Sequence, residues 1–78
     1  MELSEAIKLR IKDILKEKNW TLSKLCAESL ITPSTLYDFI YGKSHCPSLM
    51  TIYRVCNGAG IKLDDFFKAP YFDDISNI

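Results

Sequence analysis

The sequence predicts an all-α fold, a compact bundle of five short helices in a single domain. Apolar residues recur at helical spacing in successive segments, and no stretch alternates apolar with polar as a half-buried strand would. Prolines at 33, 47 and 70 and glycines at 42, 58 and 60 punctuate those segments rather than interrupt them. A chain of 78 residues has room for one domain and hides only about 60% of the surface its unfolded form exposes. That leaves little volume for an enclosed catalytic cleft and favours function through the surface.

Helix 1 is expected over Ser4 to Lys18, with Ser4 as N-cap and Glu5 in the first turn. Ile7, Ile11, Ile14 and Leu15 form its inner face, and Leu9 lies off that stripe. Trp20 is expected as a core plug between helices 1 and 2. Thr21 should cap helix 2, Leu22 to Ser29, with Leu22, Leu25, Cys26 and Ser29 on one side. Thr32 should cap helix 3, where Pro33 takes the first helical position and loses no needed N–H. That helix carries Leu36, Phe39 and Ile40 and stops near Tyr41, where Gly42 is expected to close it in the left-handed conformation. Helix 4 opens at Pro47-Ser48 and runs to about Asn57, with Leu49, Ile52 and Cys56 inward. Helix 5 covers Leu63 to Lys68, burying Leu63, Phe66 and Phe67. Residues 1–69 form the domain, and 70–78 form a short tail after Pro70.

The chain has ten basic and ten acidic side chains, so a purely electrostatic, histone-like binder is not expected. Residues 1–60 carry eight basic and six acidic groups, and residues 61–78 carry two and four. Three cysteines, Cys26, Cys46 and Cys56, are an odd number without CxxC spacing, which points to a reducing, cytoplasmic setting rather than a disulfide framework. No run of eighteen apolar residues suggests a membrane span, and Met1 to Glu5 lacks the features of a secretory leader. His45 and Cys46 are adjacent and diverge, and no second close pair completes a tetrahedral metal site. No catalytic centre, metal, cofactor or small-molecule ligand is expected.

The informative segment is Leu22 to Lys43. Two short amphipathic helices are joined only by Leu30-Ile31-Thr32, which forces a steep crossing and leaves the second helix projecting. This is the arrangement in which one helix braces while the next enters the major groove of duplex DNA. Four segments in order, Thr21 to Glu28, Thr32 to Lys43, Pro47-Ser48-Leu49 and Gly60 to Phe67, resemble the Xre/Cro/cI family of phage-repressor-like helix-turn-helix regulators. The resemblance spans about residues 5 to 68. It implies a prokaryotic or phage transcriptional regulator, most simply a repressor, that binds double-stranded DNA.

Carried over residue by residue, the family's base-reading positions fall on Pro33, Ser34 and Asp38, with Thr35 and Tyr37 beside them. Its phosphate-contacting positions fall on Thr21, Leu22 and Thr32, with the loop Lys43-Ser44-His45 as a further candidate. Leu25, Ile31, Leu36 and Phe39 match core positions, and Cys26 matches the small residue packed between the two helices. The chain departs from the family at three places. Leu22 stands where a phosphate-clamping Gln is frequent, Lys62 where a Ser or Thr caps helix 5, and Leu30 where Gly is frequent. A leucine in a left-handed turn costs about 1–2 kcal/mol, so a different local geometry is expected at Leu30. The reading face lacks Arg, Lys, Gln and Asn. A protein-interaction module on the same fold is therefore the alternative to DNA binding, with Tyr37, Asp38 and Tyr41 as its surface. One recognition helix reads few base pairs, so a homodimer is expected, with Tyr71, Phe72, Ile75 and Ile78 as its contact surface and fold-back of this tail onto its own subunit as the alternative.

Overall fold

A computed structural model describes residues 2–42 and 47–75. Among these the order is α1 (Leu3–Lys18), α2 (Leu22–Ser29), α3 (Pro33–Tyr41), α4 (Leu49–Ala59) and α5 (Leu63–Phe66), then a 3₁₀ turn at Pro70–Asp74. No strand occurs among the described residues.

The boundaries follow local chemistry. The Thr21 hydroxyl accepts the Lys24 N–H at 3.1 Å, and Ser48 does the same for Thr51 at 3.2 Å, so α2 and α4 begin on side-chain caps. Ser4 does not cap α1: the helix starts one residue before it, and Glu2 is the cap residue, without a side-chain bond. Thr32 stands at the start of α3, but its hydroxyl pairs with that of Thr35 at 2.8 Å rather than with a backbone amide.

Three helices end in one way. Asn19, Leu30 and Gly60 are left-handed, and the N–H of the next residue bonds back to the helix: Trp20 to Leu15 O, Ile31 to Cys26 O and Ile61 to Cys56 O, at 2.9, 3.1 and 3.0 Å. The residue after each turn is apolar, and Trp20, Ile31 and Ile61 all pack into or against the core. Leu30 therefore adopts the geometry that its side chain was expected to avoid, with φ 56° and ψ 41°. Burial of Ile31 and the Ile31–Cys26 bond offset the strain. The Leu30 side chain is 86% exposed and gains no burial in return. Replacing Leu30 with Gly is thus expected to stabilise the domain by about 1 kcal/mol, the left-handed penalty less the added freedom of the unfolded chain. Chemical denaturation of the two proteins measures it. Gly42, in contrast, is extended at φ −96° and ψ −173°, because the chain leaves α3 without a left-handed turn.

One core joins all five helices: Ile7, Ile11 and Ile14 from α1, Leu22, Leu25 and Cys26 from α2, Leu36, Phe39 and Ile40 from α3, Ile52, Val55, Cys56 and Ala59 from α4, and Phe66 from α5, with Ile31 between α2 and α3. Trp20, Leu15, Leu63 and Phe67 pack against its edge. Helix α2 packs most extensively on α4, where Gly58 brings the two backbones together beside Ser29. Leu49 is not buried as expected: its spacing puts it on the stripe of Ile52 and Cys56, but it stands at the first turn of α4 and is exposed. Helix α5 is shorter than expected and ends at Phe66, where Arg10 takes over its carbonyls. Arg10 Nε donates to Phe66 O at 2.7 Å and Nη2 donates to Asp65 O at 3.0 Å. The guanidinium also lies 5.8 Å from the Phe66 ring centre, so one cation on α1 fixes α5 by charge and by stacking.

Candidate nucleic-acid interface

The outer face of α3 follows from its period. Leu36, Phe39 and Ile40 anchor one side in the core, which turns Ser34, Thr35, Tyr37 and Asp38 outward to solvent, with Tyr41 one turn after Tyr37. Thr32 and Pro33 are exposed at the helix start. A nine-residue helix is not stable alone and is held here by its inner face against α2 and the core.

Helix α2 also holds that face from the outside. Ser23 Oγ and the Tyr37 hydroxyl share a hydrogen bond of 3.1 Å across the two helices. The Tyr37 ring lies 5.8 Å from the Tyr41 ring, centre to centre. Sequence reading did not single out Ser23, because its partner is fourteen residues away and only the helix crossing brings them together. Lys24 was also missed. It lies on α2 beside the Thr21 cap, with its ammonium 5.8 Å from the Trp20 ring centre and 3.5 Å from Glu28 Oε2. Lys18 reaches the same ring at 5.1 Å, so two cations lie over the Trp20 ring.

Thr21 is exposed at the start of α2. The Leu22 side chain is buried, so this position contributes core packing and only its backbone belongs to the helix terminus. The α3 residues from Pro33 to Tyr41 include a single charged side chain, Asp38. Lys43, Ser44 and His45, the expected phosphate loop, lie outside the described residues, as does Cys46.

Cys26 and Cys56 are buried, and burial pushes both thiols above their ordinary pKa, which keeps them protonated and poorly nucleophilic. Among the described residues no group of three or more His, Cys, Asp or Glu side chains is placed to hold a metal ion. Among the described residues no helix is long and apolar enough to cross a membrane.

Tyr71 and Phe72, at the start of the tail, fold back on their own subunit. The Tyr71 hydroxyl donates to Asp13 Oδ2 at 2.7 Å, and burial together with that carboxylate raises its pKa well above the ordinary tyrosine value. Phe72 packs edge-on against Phe67 at 5.1 Å and near Phe66 at 6.1 Å between ring centres. Ile75 is half-buried, and Ile78 lies outside the described residues.

Two amphipathic helices joined by a three-residue turn, the second with its outer face clear of the core, define a helix-turn-helix domain. Comparison with family models matches residues 10–70 to the Cro/C1-type HTH DNA-binding domain. The chain belongs to that family and is a DNA-binding helix-turn-helix domain. No curated protein and no solved structure gives a significant match.

Proposed function

We propose that this domain regulates transcription, as a repressor, by placing α3 in the major groove of duplex DNA. The observation that carries the reading is the exposed, hydroxyl-bearing face of α3, fixed from behind by the core and from the side by the Ser23–Tyr37 bond. No side chain caps the start of α3, which leaves that helix terminus available to a phosphate. In this reading Ser34, Thr35, Tyr37 and Asp38 face the bases, with Pro33 packing against them. Thr21, Thr32 and the backbone at Leu22 meet the phosphates together with Lys43, Ser44 and His45. Asp38 would accept from a cytosine amino group. No catalytic step or cofactor is part of this function, and the working unit is a homodimer.

Two substitutions separate the roles. Lys43→Ala removes a phosphate contact, so it should weaken all duplexes about equally and lower the salt slope by about one. Ser34→Ala should change the ranking of sequences instead. Selection from a random duplex pool with each variant measures this, and a new preferred site for Lys43→Ala would reverse the assignment. The exposed, mutually tilted rings of Tyr37 and Tyr41 beside Asp38 favour one other reading, a protein-interaction face on the same fold. Absence of any duplex binding at low salt would select it.

A further inference from the structure

A cleft of about 380 Å³ lies between the end of α2 and α4, lined by Glu28, Ser29, Leu30, Arg54 and Asn57. None of these residues belongs to α3, and none has been assigned to the duplex. Ser29 is the buried member of the lining, at 4% exposure, and so forms the floor. Its hydroxyl, which rests beside Gly58, is the one buried side-chain polar group without a hydrogen-bond partner among the described residues. Folded proteins hold few such groups, because each costs stability. Glu28 and Arg54 bring opposite charges to the same cleft but do not pair with each other. Glu28 reaches Lys24 at 3.5 Å, and the Arg54 side chain makes no ion pair among the described residues. Leu30 completes the rim, left-handed and 86% exposed, so its side chain gains no burial for the strain it bears.

We propose that this cleft binds a free α-amino acid with an apolar side chain. The ligand carboxylate meets the Arg54 guanidinium, whose planar fork suits that anion, and the Asn57 amide beside it. The ligand ammonium meets the Glu28 carboxylate in the last turn of α2, where the helix dipole also favours a cation. One zwitterion thus joins two charges that the fold holds apart. A simple anion would be repelled by Glu28, and a simple cation by Arg54. An ammonium carries three donors, so one remains for the Ser29 hydroxyl once that side chain turns from Gly58 toward the cleft. The apolar side chain of the ligand lies on Leu30 and takes its exposed surface out of water. The volume is near the lower end of small-molecule sites, roughly 300–1,000 Å³, which suits a ligand of this size. With four of the five lining residues exposed, the site is open, and the dissociation constant should be on the order of 1 mM.

The test needs no DNA, so it stands apart from the DNA-binding reading. Leucine, 3-methylbutylamine (leucine without its carboxylate) and 4-methylpentanoate (leucine without its ammonium) are each titrated to about 20 mM into the full chain at pH 7. Amide NMR signals report both the affinity and the place of binding. Leucine should shift the signals of residues 28–30 and 54–57 and approach saturation, while the amine and the acid each bind at least about tenfold more weakly. Arg54→Gln should lower leucine to the affinity of the amine, and Glu28→Gln should lower it to that of the acid, both with unchanged helical circular dichroism. Leu30→Gly, which should stabilise the fold, should still weaken leucine by about fivefold, so lost binding there is not lost structure. No shift with leucine at about 20 mM would overturn the proposal, as would shifts centred away from these residues. Binding of the amine or the acid as tight as that of leucine would overturn it too, as would leucine affinities unchanged in Arg54→Gln and Glu28→Gln.

Discussion

Replacing Ser34 and Tyr37 together with glutamate is expected to abolish duplex binding, by at least about 100-fold, while leaving the fold intact. The two effects separate because of where these residues lie. Both are exposed, and neither contributes to the core that Leu36, Phe39 and Ile40 make. Ser34 is in the first turn of α3, where a carboxylate is favoured by the unpaired backbone N–H groups, by about 0.3–1 kcal/mol. Loss of the exposed Ser23–Tyr37 bond costs about as much. Stability should thus hardly move. On DNA the same carboxylates meet phosphates and base-edge acceptors, and like charges brought together cost several kcal/mol. Thermal denaturation with a gel-shift titration checks both halves. Retained binding would remove α3 from the interface.

The largest loss of stability is expected at a residue with no side chain. A Cβ on Gly58 would overlap Ser29 Oγ and come within 2.7 Å of both the Ser29 Cα and its backbone N. Backbone atoms of α2 cannot swing aside as a side chain can, so the two helices must part along their main contact. Gly58→Val should cost about 3 kcal/mol, the upper end for overpacking a core, and lower the melting temperature by about 15 °C. Gly60→Ala is the control. Nothing lies within 4 Å of a Cβ there, and only its left-handed φ of 74° resists, at about 1 kcal/mol. Equal losses at the two sites would contradict this account of the α2–α4 contact. Binding should fall with Gly58→Val as well, since α2 holds α3 through its packing.

Much of this was legible in the sequence because helix periodicity and punctuation are local. The core stripe of α1, the Thr21 cap, the bounds of α2 and α3, and the outward face of α3 all follow from residues within one or two turns. What was not legible depends on distant parts. Arg10 meets Phe66 only after α1 and α5 are brought together, so nothing near it in sequence marks it as the clasp of α5. Leu30 was expected to escape the left-handed turn on its own steric cost. The cost is outweighed by the burial of Ile31 and the bond from Ile31 N–H to Cys26 O. Leu49 was expected inside because its spacing matches Ile52 and Cys56, yet at the first turn of α4 there is no core left for it to reach. The reading face was found from the family's register, whereas the Ser23–Tyr37 bond that steadies it belongs to the helix crossing.

The most direct test of the central claim is a salt-dependent titration of the wild-type full chain with a random 30-base-pair duplex pool. Each cationic phosphate contact releases counterions and costs about three- to fourfold in affinity when salt rises fourfold. Of the groups assigned to phosphates only Lys43 is charged, so binding should be measurable at 50 mM salt and about fourfold weaker at 200 mM. Binding that ignores salt, or no binding at 50 mM, would contradict the assignment of this face to duplex DNA.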